Sequence, residues 1–311
     1  MRTRKIGSLE VSVVGLGCNN FGGRLDYDGS AAVIRGALDA GITFFDTADI
    51  YGGTKSEEFL GRALGARRDE VVLATKFGMQ IDADHKGAKP SYVHSALDDS
   101  LRRLQTDHVD LFQLHAPDPD TPIAETLGAL GECIETGKAL EVGCSNFSVA
   151  QLREAEAVTS DGSARFVSVQ NEYSMLRRAP ELDVLPECER AGLVFLPYFP
   201  LASGVLTGKY RRGEPPPPGT RLSGVKQNKG PLSDDILAVV ERLTEFAASQ
   251  KRTMVELAIA WIAAHDVVAS VIAGATSPEQ VQANVAAADW VLDDSDRAEI
   301  DTLLPPPSAT P

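Results

Sequence analysis

The sequence predicts an α/β fold, a closed (β/α)8 TIM barrel, with an N-terminal β-hairpin and extra helices after strand 7 and at the C-terminus. Three observations lead there. Short, almost wholly apolar runs alternate with segments of helical periodicity, and eight such strand-then-helix units can be counted along the chain. The strands are apolar on both faces, as burial inside a parallel sheet requires. No composition break marks a second domain, so residues 1–311 are expected to form a single barrel domain, with 305–311 as a disordered tail.

The elements follow in order. Arg4 to Gly7 and Leu9 to Gly15 flank Gly7-Ser8 as a hairpin, and Val13 to Gly17 is the first core strand. Ser30 is expected to cap a helix whose apolar face is Val33, Ile34, Ala37 and Leu38, with Gly41 ending it. Ile42 to Asp46 is strand and Lys55 to Leu64 helix; Glu70 to Lys76 is strand and Ser91 to Gln105 helix, with Val93, Leu97, Leu101 and Leu104 as its buried stripe. Val109 to His115 is strand, and the next helix runs from Pro122 in its first turn to Glu135, with Gly137 beyond its end. Strands Leu140 to Ser145 and Phe166 to Asn171 bracket the helical Val149 to Val158. Pro186 to Gly192 ends another helix before the strand Leu193 to Tyr198. Leu201 to Leu232, rich in Gly and Pro, is too long for an ordinary connection and reads as a binding loop. Helices Asp234 to Gln250 and Met254 to Ala264, strand Ser270 to Gly274, helix Pro278 to Ala288 and a last helix Asp294 to Leu304 complete the chain.

Composition excludes several classes. Thirty basic residues stand against forty-four acidic ones, a net charge of −14, which repels phosphate backbones and anionic lipids; neither nucleic acid nor a membrane surface is expected as a partner. No apolar run reaches the roughly 20 residues of a membrane span, and Ile6-Gly7-Ser8-Leu9-Glu10 stands where a signal peptide needs an apolar core. Cys18, Cys133, Cys144 and Cys188 lack metal-binding or disulfide spacing, so no metal is expected and a cytoplasmic location is the default. Gly15-Leu16-Gly17-Cys18 lacks the third glycine of a dinucleotide fingerprint.

The chemistry gathers at strand ends. Phe44-Phe45-Asp46 ends in a carboxylate, with Tyr51 just beyond; Val71 to Lys76 ends in an ammonium and Val109 to His115 in an imidazole. Barrel active sites lie at those ends, and strands about 4.8 Å apart let the four groups converge. Each alone is more often a satisfied structural group; four at successive strand ends point to acid–base chemistry on a carbonyl. Asp46 would keep Lys76 charged, Lys76 would lower the pKa of the Tyr51 phenol, and Tyr51 would give its proton to the carbonyl oxygen, toward which His115 donates. None of the four can supply a hydride, so a cofactor must.

FFDTADIYG, VVLATK, SLRRLQTDHVDLFQLH, GCSNF, SVQNEYS, YFPLASGVLTGKY and IAGATSPEQVQAN resemble, in order from about Val11 to Leu304, the aldo-keto reductases. The resemblance implies a barrel that binds NADP(H), with NAD(H) less favoured, and a tetrad of Asp46, Tyr51, Lys76 and His115 with Tyr51 as proton donor. It also implies that Ser145, Asn146 and Gln170 hold the nicotinamide carboxamide, with Tyr198 against the ring and Gly17, Cys18 and Asp46 beside it. Leu201, Ser203 and Gly204 would follow the pyrophosphate, with Lys209 and Arg221 closing over it. Gly274, Thr276, Gln280 and Asn284 would surround the adenosine end. Phe199 stands where a serine is common, and Gln280 where many members carry an arginine for the 2′-phosphate, leaving Arg221 as the expected phosphate ligand. A small carbonyl substrate would meet Asn19, Tyr51 and His115, in a pocket shared with Asn20, Phe21 and the loop Met79 to Lys89. The potassium-channel β-subunits have similar motifs, so a redox-sensing NADP-binding protein with slow turnover is the second expectation. The short stretch before the hairpin and the acidic surface weigh toward the catalyst.

Overall fold

The computed structural model describes residues 1–159, 163–224 and 230–308. Strands β1 (Thr3–Ile6) and β2 (Leu9–Ser12) pair antiparallel with Thr3 opposite Ser12, turning through Gly7 at φ +56°. This hairpin plugs one end of the barrel: Ile6, Leu9 and Val11 pack with Phe44, Ala74, Leu111 and Leu196. Arg4 ties it down, donating to the carbonyls of Ala263 (2.8 Å), His265 (3.0 Å) and Val268.

The barrel strands are β3 (Val14–Gly17), β4 (Phe44–Asp46), β5 (Val72–Phe77), β6 (Val109–Leu114), β7 (Ala139–Ser145), β8 (Ser168–Glu172), β9 (Val194–Tyr198) and β10 (Val271–Gly274). Each pairs in parallel with the next, and β10 closes on β3. Around them lie α1 (Tyr27–Asp39), α2 (Lys55–Leu64), α3 (Pro90–Leu104), α4 (Ile123–Glu135), α5 (Val149–Ala157), α6 (Val184–Ala191), α7 (Asp234–Ser249), α8 (Met254–Ala263), α9 (Pro278–Val285) and α10 (Asp294–Leu303). The hairpin, the additional helix between β9 and β10 and the C-terminal α10 agree with the sequence reading.

Local chemistry accounts for the boundaries. Ser148 and Thr253 form reciprocal caps with Gln151 and Glu256, fixing the starts of α5 and α8. Gly192 ends α6 in the left-handed conformation. α2 lies close against α3 because Gly61 has no side chain; a Cβ there would sit 2.3 Å from the Leu104 carbonyl oxygen. One start differs from expectation. α1 begins at Tyr27, capped by the Asp26 carboxylate on Gly29 N–H at 2.9 Å, while Ser30 lies inside the first turn and donates to the Asp26 carbonyl. Asp26 wins because it stands ahead of a helical turn that still contains Tyr27 and Gly29. The apolar runs beginning at Ile42 and Phe166 enter the ladder two residues late, at Phe44 and Ser168. Of the expected tail, Pro305 accepts a hydrogen bond from Arg178 (3.1 Å), and residues 309–311 lie outside the described residues.

Candidate active site

The carboxyl ends of β4 and β5 carry Asp46 and Lys76, and His115 stands one residue beyond β6. Parallel register sets Lys76 beside Gln113 and Phe77 beside Leu114, so the ends of β5 and β6 are level. Lys76 is fully buried; its Nζ donates to Asp46 Oδ2 at 2.6 Å and to the Thr47 carbonyl at 2.8 Å. The other Asp46 oxygen accepts from Gln113 Nε2 (3.1 Å) and Gln170 Nε2 (2.9 Å). A buried ion pair survives only when its remaining hydrogen-bonding capacity is met, and two glutamines reaching across the barrel from β6 and β8 meet it here. Burial alone would lower the Lys76 pKa, but Asp46 and Tyr51 outweigh it and raise it, so the ammonium stays charged.

Tyr51 follows β4 on a turn through Gly52 and Gly53, both at positive φ. Gly52 is required, since a Cβ would lie 2.3 Å from the Phe21 carbonyl oxygen. The turn brings the Tyr51 ring within 5.2 Å of Lys76 Nζ and edge-to-face with His115 at 5.7 Å between centroids. The expected lowering of the phenol pKa is overturned: burial raises it and prevails over the opposing pull of Lys76. His115 is driven down to about 3, first by burial and then by Lys76, so its imidazole is neutral at ordinary pH. Its Nδ1 is buried without a hydrogen-bond partner.

These groups form one end of a cavity of about 1010 Å³. The residues expected to touch the cofactor, together with Asn19, Tyr51 and His115, all line it, while Lys76 is buried behind them. Gly17, Cys18 and Asn19 stand at the end of β3 next to Asp46. Ser145 Oγ donates to the Gln170 carbonyl (2.7 Å); Asn146, at φ +62°, donates to the His115 carbonyl (2.9 Å) and accepts from Tyr198 OH (2.8 Å). Farther along, Phe199, Ala202, Ser203 and Gly204 all adopt positive φ, beside Leu201. Such strain collects at ligand clamps. Lys209 reaches the same wall, its Nζ 3.0 Å from where a Cβ on Gly204 would stand. Arg221 lies over the Phe199 ring at 5.5 Å and donates to Asn20 Oδ1 (3.2 Å). Gly274, Thr276, Gln280 and Asn284 form the far end. There Gln280 Oε1 accepts from both the Thr276 N–H (2.9 Å) and its hydroxyl (3.2 Å), and Ser277 caps α9.

The donor set fits a nicotinamide dinucleotide. Amides of Asn146 and Gln170 and an aromatic ring stand at one end, cations in the middle, and hydroxyl and amide groups at the other. Among the described residues neither Lys209 nor Arg221 is paired with a carboxylate, so both are available to an anion.

Some expectations fail. Phe21 is fully buried in the core and does not line the cavity. Of the loop Met79 to Lys89, only Met79 reaches it, because Gly87 and Ala88 are drawn away onto Asp118. Sequence reasoning also missed residues. Gln113 is a lone amide in an apolar strand two positions before His115, a signal that was readable. Arg24 lines the cavity from the loop after β3, which no periodicity foretells. Asp49 is 1% exposed, with neither carboxylate oxygen hydrogen-bonded, and burial followed by Glu57 pushes it up to about 7. Among the described residues no group of His, Cys, Asp and Glu is arranged to hold a metal, and no helix is long and apolar enough to cross a membrane.

Comparison with known proteins agrees with this geometry. "Aldo-keto reductase YhdN" from Bacillus subtilis (strain 168) is 33% identical over 305 residues, covering 95% of this chain and 91% of that one. A "probable voltage-gated potassium channel subunit beta" from Oryza sativa subsp. japonica is 38% identical over 282 residues, 87% of this chain and 85% of its own. The holo form of aldo-keto reductase AKR11C1 from Bacillus halodurans superposes with a TM-score of 0.81 at 32% identity, covering 100% of this chain and 97% of that one. The family profile matches residues 13–305, and the chain belongs to the aldo/keto reductase family.

Proposed function

We propose that this protein is an NADPH-dependent reductase of aldehydes or ketones, with Tyr51 as proton donor. The observation that carries the reading is the Asp46–Lys76 pair beneath Tyr51 and beside a neutral His115, at one end of a long cavity. Ser145, Asn146 and Gln170 would hold the carboxamide, with Tyr198 against the ring. Leu201, Ser203, Gly204, Lys209 and Arg221 would hold the pyrophosphate and 2′-phosphate, and Gly274, Thr276, Gln280 and Asn284 the adenosine. When bound, the nicotinamide supplies the hydride.

The protein's own residues manage the proton. A raised pKa keeps Tyr51 protonated at neutral pH, which a general acid requires. As Tyr51 gives up its proton to the carbonyl oxygen, the phenolate left behind is stabilised by the Lys76 ammonium, held in place by Asp46 and the Thr47 carbonyl. Neutral His115 donates to the same oxygen and sets its direction. Four free, buried cysteines accord with a reducing, cytoplasmic setting.

Tyr51→Phe tests the assignment. Turnover should fall by about 10²-fold or more while cofactor affinity holds, the usual scale for a general acid. Near-normal turnover would remove Tyr51 from the role. The resemblance to a channel subunit favours a second reading, a redox sensor that binds NADP tightly. A burst of NADPH oxidation with no sustained rate would support the sensor.

A further inference from the structure

Two guanidinium groups at the cavity mouth reach across to each other's loops. Arg24, on the loop after β3, donates through Nη2 to the Gly219 carbonyl at 3.3 Å. Arg221, two residues beyond Gly219, donates through Nη2 to Asn20 Oδ1 at 3.2 Å, and the Asn20 carbonyl in turn accepts from the Arg24 N–H. The two charges are near enough that Arg24, after burial, depresses the Arg221 pKa. Both line the cavity, and among the described residues neither forms an ion pair with a carboxylate. Asp26, the nearest acid in sequence, is turned into α1 as its cap. Two adjacent guanidinium groups with no acid between them repel each other, and an anion joining them would relieve that repulsion.

The placement brings the pair within reach of a substrate held at the tetrad. Gly22 packs on Gly52, where a Cβ would lie 3.2 Å from the Gly52 carbonyl oxygen, so the Arg24 loop rests on the loop that carries Tyr51. The Arg24 loop thus spans from the loop that carries Tyr51 to the loop after β10, where Asn20 Nδ2 donates to the Ala275 carbonyl at 3.1 Å. The groups suited to the adenosine end, Thr276 and Gln280, come from the loop after β10 and the start of α9.

We propose that Arg24, with Arg221 beside it, forms an anion subsite that takes a phosphate or carboxylate carried by the carbonyl substrate, so that anionic aldehydes and ketones are the substrate class. A guanidinium fork accepts either oxyanion in bidentate geometry. Arg221 can serve this group and a cofactor phosphate from opposite sides, whereas Arg24 serves the substrate. The inference rests on the reductase reading.

The test compares 4-carboxybenzaldehyde with its methyl ester, two aldehydes that differ in one charge, in wild type and Arg24→Gln at saturating NADPH. The ratio of kcat/KM for acid over ester should fall about tenfold or more in the variant, with most of the change in KM; Arg24→Lys, which keeps the charge but not the fork, should recover part of it. A ratio that does not move overturns the proposal. A loss that appears instead in NADPH binding also overturns it, by placing the pair on the cofactor's phosphates. Wild-type turnover of the ester checks the reductase reading separately. Calorimetric binding of 4-carboxybenzaldehyde to the NADP-loaded protein reads the subsite without turnover, and equal affinity in wild type and Arg24→Gln would refute it.

Discussion

The floor and the mouth of the cavity are built on opposite plans. On the floor, Asp46, Lys76, Gln113 and Gln170 are each at most 2% exposed, and both Asp46 oxygens have partners from other barrel strands. At the mouth, Arg24 and Phe199 are exposed, and Arg221 is held by one amide oxygen and one ring face. The floor is fixed by burial because any polar atom left unpaired there costs full desolvation. The mouth is cheap to alter, since water can replace most of its contacts. On the proposed reading, reaction type is written into the core, and substrate and cofactor discrimination into groups whose loss the fold tolerates.

That contrast can be broken or sharpened. The largest effect should come from Lys76→Met, which leaves Asp46 Oδ2 buried without its cation. We expect a loss of about 3–5 kcal/mol of folding stability, together with a collapse of turnover. Urea unfolding that matches wild type would show that the floor is less tightly coupled than its geometry implies.

Asp49 is the exception on the floor side, a buried acid whose carboxylate makes no side-chain hydrogen bond. Its pKa is raised from 3.8 to about 7, so the stability tied to its protonated form is complete below about pH 4 and drains away as pH rises through 7. Asp49→Asn should abolish that slope, making stability between pH 4 and 8 flatter than wild type by on the order of 2–4 kcal/mol. The groups facing Asp49 are Glu57, Arg103, Lys76 and Tyr92, and Glu57 is itself tied to Thr75 (2.5 Å) and Arg103 (2.6 Å). Parallel stability curves for the two proteins would show that Asp49 is not the titrating group.

The smallest effect belongs to the mouth. Arg221→Ala should cost roughly 1.5–3 kcal/mol of NADPH binding, the worth of a charge-assisted hydrogen bond, with little change for NADH. Folding stability should barely move. Equal losses for the two cofactors, or a wild type that prefers NADH, would mean that the 2′-phosphate is held elsewhere.

Much of this was legible in the amino-acid order. Apolar runs, helical stripes and caps follow rules of a few residues' reach, so the barrel and the strand-end positions of Asp46, Lys76 and His115 could be read directly. The resemblance of the motifs to one family supplied the residues expected around the cofactor, and the fold brings those together along one cavity. Phe21 and Ser30 were misplaced because their roles depend on where a loop turns and which neighbour caps first. Gln113 is visible in the sequence as a polar intrusion in β6, but its partner Asp46 lies 67 positions away, so only the closed barrel shows its role.

What only the tertiary structure decided is the balance of energies at the site. The sequence places an ammonium near a phenol and so suggests a lowered pKa; whether desolvation or the cation prevails depends on how completely water is excluded, and burial prevails at Tyr51. The solitude of Asp49 and the pairing of Arg24 with Arg221 are likewise matters of distance across loops far apart in the chain. Local sequence sets periodicity, caps and residue chemistry, while desolvation and long-range charge exist only once the barrel has closed.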